Sequence, residues 1–210
     1  VGGELVKLCE QHALPCFAAG RRNRWKDSRT IEFRQLDLSD ASTFDAIRGA
    51  SELFLVRPPQ ISNVKRDLFP FLGRCKELGI KKVVFLSLIG VDKLPFTPHY
   101  KIEREIERLG FEHTFVRAGF FMQNLSTTHA REIRERNLLV APCGRGKTTF
   151  IHARDIAMVS LNALLGTITT PHVNVGGNET FTYYQVAQKL SALLERPITY
   201  RAASIPGFLF

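Results

Sequence analysis

The residues able to do chemistry fall into a few short clusters. Gly2 and Gly3, followed by Glu4, stand directly before an amphipathic stretch. Glycines at a helix start let the backbone approach an anionic group, and the helix adds N–H donors and the positive end of its dipole. Arg21 and Arg22 follow Gly20 and begin a basic run completed by Arg24 and Lys26. Guanidinium forks combine charge with paired donors, which suits a phosphate. Asp37 ends a β-rich run. Its carboxylate, or the neighbouring Leu38 amide, could meet the amino group of a purine, and an ordinary strand-end turn explains the aspartate equally well. Ser87 closes another β-rich run.

Other clusters weaken on inspection. His99 and Glu103, four apart on a helix, could ligate a metal, but no third ligand has suitable spacing, so a local His–carboxylate pair is expected. Gly146-Lys147-Thr148 resembles the end of a phosphate-binding Walker loop. Ala141 stands where its first glycine belongs and a β-like Phe150-Ile151 follows, so a hairpin turn is expected instead. His113, His129, His152 and His172 are scattered, and no G-x-S-x-G is present. The four cysteines, Cys9, Cys16, Cys75 and Cys143, form no C-x-x-C pair. Cys9 and Cys75 fall on apolar helix faces, which points to reduced thiols acting as small hydrophobes.

The elements that must position these residues alternate between β-rich runs and amphipathic helices, which predicts βαβ units and a parallel sheet. Helices are expected over Gly3–His12, Asn63–Leu78, Pro98–Leu109 and Ser126–Arg136. Two more are expected from Asp155 and from a Thr182/Gln185 capping box, the last with Val186, Leu190 and Leu193 as its apolar stripe. Pro70 should kink the second of these. Asp40 caps a short helix burying Phe44 and Ile47. Strands are expected over Leu14–Ala19, Ile31–Leu36, Glu52–Val56, Lys82–Ser87 and His113–Arg117, with two short ones flanking Pro142–Lys147. The continuous Val83-Val84-Phe85-Leu86 suits a central strand covered on both faces.

A length of 210 residues fits one domain with a small appended lobe. No apolar run reaches the ~18–20 residues of a membrane span, and no signal-peptide pattern is present, so the cytoplasm is the default compartment. The net charge of +9 asks for an anionic partner. Because the charge is dispersed apart from the Arg21–Lys26 cluster, a phosphorylated small molecule explains it better than nucleic acid.

Together these features point to dinucleotide binding. Gly2 and Gly3 read as the tail of a glycine-rich phosphate loop, so a strand and leading glycines are expected upstream of Val1. Gly20-Arg21-Arg22 stands where such folds read the adenosine ribose. Arginine there accommodates the 2′-phosphate of NADP, whereas an acid would favour NAD.

The chain resembles the NmrA-like, atypical short-chain dehydrogenase/reductase family along essentially its whole length. The resemblance is carried by Gln35-Leu36-Asp37-Leu38-Ser39-Asp40, by residues 54–59 (FLVRPP) and by residues 79–87 (GIKKVVFLS). Residues 115–124 (FVRAGFFMQN) and 150–157 (FIHARDIA) add to it. It implies a Rossmann-type α/β domain over 1–124, with a doubly wound parallel sheet. A smaller substrate lobe over 125–210 would be partly interleaved with that sheet, incomplete at its end, and closed over the nicotinamide. By the resemblance Gly2 approaches the pyrophosphate, and Arg21 and Arg22 hold the 2′-phosphate. Asp37 and Leu38 lie by the adenine, Val56, Arg57 and Pro58 line the nicotinamide side with Ser87, and Phe120, Phe121 and Asn124 border the substrate pocket. Short-chain dehydrogenases commonly use Ser with Tyr-x-x-x-Lys, but Tyr100 is followed four residues later by Arg104. In the family register His99 and Glu103 occupy a His-x-x-x-Glu pair, leaving Ser87, His99 and Glu103 as the catalytic candidates and no tyrosine acid. Ala118 replaces the usual proline after Arg117. The expected activity is hydride transfer from NADPH, in preference to NADH, to a quinone-like or conjugated small-molecule acceptor. The competing expectation is a non-catalytic NADP-binding sensor that engages a protein partner.

Overall fold

In the computed structural model, which describes residues 1–203, the alternating pattern becomes α1 (Gly2–Gln11), β1 (Phe17–Gly20), β2 (Glu32–Gln35), β3 (Glu52–Leu55), α2 (Val64–Asp67), α3 (Phe69–Glu77) and β4 (Lys82–Leu88). There follow α4 (Pro98–Arg108), β5 (Glu112–Ala118), β6 (Phe120–Phe121), α5 (Gln123–Ser126), α6 (Ala130–Arg136), β7 (Leu138–Ala141) and β8 (Lys147–Ile151). The last are α7 (Ala153–Leu164), β9 (His172–Val175), β10 (Thr180–Thr182), α8 (Tyr183–Leu194) and β11 (Thr199–Ala202). A 3-10 turn over Ala41–Ile47 is capped by Asp40, whose side chain accepts from the Ser42 amide. Two compact units result among the described residues: 1–118 with 154–175, and 119–153 with 176–203. Among the described residues no helix is long and apolar enough to cross a membrane.

The first unit is a Rossmann-type parallel α/β sheet. Its four-stranded sheet has the order β3-β4-β5-β9, all parallel, and β1 pairs in parallel with β2 as a separate ladder. Residues 82–87 of β4 are buried without a break, as a strand covered on both faces requires. On one face Val83 and Phe85 pack with Phe71, Leu72 and Cys75 of α3 and with Ile102 and Ile106 of α4. On the other, Leu5, Leu8 and Cys9 of α1 join Ala157 and Leu161 of α7 over Phe54. Strand alternation sends Phe54 opposite to Leu53 and Leu55, so helices lie on both sides. Pro70, in the first turn of α3, makes the predicted kink a real break at Leu68. Gly79 ends this helical stretch at φ 85°, a conformation that costs glycine little.

The second unit corrects three expectations. The strands around Pro142–Lys147 form no hairpin: β7 pairs in parallel with β11, whereas β8 pairs with β10 and β6. The turn is closed locally, Gly146 N donating to Cys143 O at 2.8 Å. Each strand finds its partner far along the chain, which local turn chemistry cannot reveal. The polar helix expected over Ser126–Arg136 is two helices, α5 and α6, because Thr127 leaves helical geometry (φ −123°, ψ −79°). The capping box at Thr182 and Gln185 forms, and Val186 is buried, but Leu193, in the last turn of α8, is 79% exposed. The core gathers Phe150, Tyr183, Tyr200, Leu139 and Ile198, with Phe120 against it. Thr149 sits where three glycines converge: a Cβ on Gly119 or Gly176 would come within 2.7 Å of its side chain, and one on Gly177 would lie 2.5 Å from the Phe150 carbonyl oxygen.

Candidate functional site

Most candidate residues follow the carboxyl ends of strands in the first unit, where parallel sheets bind ligands. After β1, Arg21 and Arg22 are exposed, and neither has a carboxylate within 4 Å among the described residues. Gln35 Nε2 donates to the Arg21 carbonyl at 3.3 Å, tying this loop to β2. After β2, Asp37 accepts from the Ser39 amide (3.0 Å) and hydroxyl (2.6 Å). Those bonds, and to a lesser degree the charge of Arg21, hold its carboxyl below the usual range. Asp37 therefore builds the turn it ends. The Leu38 side chain is buried in the core, which leaves only its backbone to face a ligand. Gly2 and Gly3 lie in the first turn of α1, and a Cβ on either would meet nothing within 4 Å. Backbone approach of a bulky anion is therefore unobstructed there.

After β3, Val56 is exposed and Pro58 half-buried. Arg57 Nη1 donates to the carbonyls of Pro58 (3.1 Å), Pro59 (3.3 Å) and Ile61 (2.7 Å). Two successive prolines offer carbonyls without N–H groups, which explains why a cation folds back onto this loop. Burial draws the Arg57 pKa down.

Ser87, His99 and Glu103 are gathered on one face of β4. Thr97 caps α4 through the Tyr100 amide, Pro98 sits in the first turn, and Ile102 and Ile106 are buried. This seats Glu103 inside, 1% exposed. It accepts from Ser87 Oγ at 2.6 Å and from Arg117 Nε and Nη2 at 3.1 and 2.7 Å. The expected His99–Glu103 pair does not form, because the Arg117 guanidinium offers Glu103 a bidentate charged partner. The His99 ring instead stacks on Phe85 at 5.9 Å. Burial first, and the charge of Arg57 second, push its pKa down to about 4, so the imidazole is neutral at physiological pH. Sequence reasoning does not single out Arg117. A charge within the apolar run of β5 is the available signal, since it needs a buried partner.

Tyr100 is half-buried, with the Arg104 guanidinium 5.6 Å from its ring centroid. It borders an open surface concavity of about 210 Å³ with Lys65, Phe69 and Lys101. Another, of about 280 Å³, is lined by Ser62, Asn63, Val64, Lys65 and Lys101, and contains none of the candidate residues. In the second unit, Phe120 stacks on His129 and meets Phe150 and Tyr183 edge-on, so its ring belongs to that unit's core. Phe121 and Asn124 are half-buried. Among the described residues no three His, Cys, Asp or Glu side chains gather to hold a metal.

A parallel sheet with helices on both faces, and charged residues collected after its strand ends, defines a Rossmann-type α/β protein. The chain belongs to the NmrA-like family, whose model matches residues 24–209. It is 31% identical to the NAD(P)H azoreductase of Xenophilus azovorans over 98% of this chain and 74% of that protein. It spans little more than half of several other curated relatives. The fold is also similar to two solved structures. The NADPH-dependent quinone oxidoreductase of Escherichia coli, in complex with NADPH, has a TM-score of 0.81 at 20% identity, covering 99% of this chain and 77% of that one. The triphenylmethane reductase of Citrobacter sp., in complex with NADP(H), has 0.79 at 18% identity, covering 98% and 77%.

Proposed function

We propose that this chain acts as an NADPH-dependent reductase on a quinone-like or conjugated acceptor. The observation that carries the reading is the exposed Arg21–Arg22 pair after β1, which makes no ion pair within 4 Å among the described residues; the start of α1, where a Cβ on Gly2 or Gly3 would meet nothing within 4 Å, adds room for a pyrophosphate. Relatives named as azoreductase and quinone oxidoreductase support the class of reaction. Bound NADPH supplies hydride from its nicotinamide. Arg21 and Arg22 hold the 2′-phosphate, Gly2 admits the pyrophosphate, and the Leu38 backbone lies by the adenine. Val56, Pro58 and the β4 end border the nicotinamide. Ser87 is committed to Glu103 and 1% exposed, so it orders the strand end, and water delivers the proton to the acceptor. Conjugated acceptors tolerate this because the incoming charge is delocalised without a strong protein acid. Phe121 and Asn124 remain the substrate-side candidates of the second unit.

The buried Ser87 also favours a second reading, an NADP-binding sensor that turns nothing over and engages a protein partner. NADPH oxidation with a panel of quinones separates the two: turnover supports the reductase, and tight saturable binding without turnover supports the sensor. Replacing Arg21 and Arg22 by Ala should weaken NADP binding by about 2–4 kcal/mol, the scale of charged hydrogen bonds, and spare NAD. Equal loss for both cofactors would remove the 2′-phosphate assignment.

A further inference from the structure

Arg57 differs from the other partly buried arginines of the first unit. Arg34 and Arg117 are paired with Glu32 and Glu103, and Arg74 with Asp45 and Glu77. Arg57 has no carboxylate within 4 Å among the described residues, and its only acceptors are three carbonyls of its own loop, all on Nη1. Its Nε is buried without any partner, and the three loop carbonyls all sit on Nη1, outside the Nε–Nη2 edge. The Nε–Nη2 edge is the one through which a guanidinium makes two parallel bonds to an acid group. The loop thus fixes one end of the fork and leaves the other without an acceptor, with a partly desolvated charge that no carboxylate within 4 Å balances among the described residues.

His99 lies beside this loop: its ring stacks on Phe85, the β4 residue paired with Leu55 at the end of β3, and the charge of Arg57 adds to the burial that lowers its pKa. A neutral imidazole next to an arginine adds a hydrogen-bonding group without a second positive charge. Both residues border the ends of β3 and β4, where parallel sheets receive ligands.

We propose that Arg57 and His99 form a binding site for an anionic ligand oxygen, either a phosphate of the dinucleotide or an acid substituent on the acceptor. The acceptor source rests on the reductase reading above; the phosphate source requires only that the chain binds the dinucleotide. An oxygen on the Nε–Nη2 edge would satisfy the orphaned donor and neutralise the charge together.

The test is calorimetric, on the full chain, with NADP, NAD, 1,4-naphthoquinone and its 2-sulfonate as probes. Arg57→Gln should weaken binding of at least one anionic probe by about 10- to 100-fold, the scale of charged hydrogen bonds. Arg57→Lys keeps the charge without the fork and should recover only part of the loss. His99→Gln should give a smaller loss on the same probe. Equal weakening of NADP and NAD with the sulfonate unaffected identifies a dinucleotide phosphate shared by both. Weakening of the sulfonate alone, with naphthoquinone and both cofactors unchanged, identifies the acceptor. Unchanged affinity for every anionic probe, in Arg57→Gln or in Arg57→Lys should the first not fold, overturns the proposal. A parent that binds the sulfonate through Arg57 but no dinucleotide overturns the reductase reading and leaves the anion site standing.

Discussion

Removing Glu103 should unbalance the first unit more than any exposed charge could. Its carboxylate accepts three hydrogen bonds from Ser87 and Arg117, and the two charged side chains are 1% and 11% exposed. Breaking a buried pair by deleting one partner leaves an uncompensated charge and costs about 3–5 kcal/mol. Asp92 lies 3.9 Å from Arg117 and takes up part of the charge, but it is 57% exposed, so the lower end of that range is expected for Glu103→Leu. At ~2–4 °C per kcal/mol for a chain of this size, Tm should fall by roughly 10 °C. Trp25 is the single tryptophan and belongs to the first unit, so its fluorescence during urea or thermal unfolding reports there. The informative comparison is Glu103→Leu/Arg117→Met/Ser87→Ala, which removes the three hydrogen-bonded members together and leaves Asp92, itself 57% exposed, to water. Apolar replacement of a buried pair is often neutral, so this variant should lie within about 1 kcal/mol of the parent and well above Glu103→Leu. The reasoning is refuted if Glu103→Leu loses less than ~1 kcal/mol, or if the triple variant is as unstable as the summed single changes.

Tyr100→Phe should leave quinone reduction within a few-fold of the parent, since a positioned acid contributes typically 10²–10⁴-fold where one is used; a large drop in kcat with unchanged NADPH affinity would reinstate Tyr100 as the acid. The pKa of His99, about 4 when folded against an ordinary value of 6.5, makes stability depend on acid. The unfolded chain binds the proton first, so this contribution is full above pH 6.5 and is lost between about pH 6.5 and 4. His99→Gln should flatten that part of a stability–pH curve, and an unchanged slope would contradict the burial of the ring. Gly177→Ala places a methyl 2.5 Å from the Phe150 carbonyl oxygen and should destabilise the second unit by about 1–3 kcal/mol. Limited proteolysis that cleaves no faster within 119–153 and 176–203 would show that the contact yields.

Except for β9, which the sequence reading does not anticipate, the helices and strands of the first unit are legible because their signals are local. Val64, Leu68, Phe71, Leu72 and Cys75 recur at helical spacing and are all buried, and the unbroken 83–86 run is the doubly covered strand. Glycine and proline mark the boundaries, as at Pro70 and Gly79. Pairing in the second unit is not legible, because β7 meets β11 some sixty residues later and β8 meets β6 about thirty residues earlier. At the site, spacing brings Ser87, His99 and Glu103 to one face, but does not tell which partner Glu103 chooses. That choice falls to Arg117, on another strand. Resemblance points to Arg57, and its chemistry emerges only from the loop carbonyls and the unfilled Nε.

The division of the first unit into residues 1–118 and 154–175 has a consequence during synthesis. When Ala118 has left the ribosome, β5 has an open edge that β9 will cover, and the apolar face of α1 lacks Ala157 and Leu161 of α7. At ~5–20 residues per second the missing pieces arrive roughly 3–11 s later, after the first stretch of the second unit has been made. An exposed strand edge during that interval is a template for pairing with another chain. Chains released before Val175 should therefore be more prone to aggregate than chains truncated beyond it, and slow codons within 119–175 would lengthen the exposure.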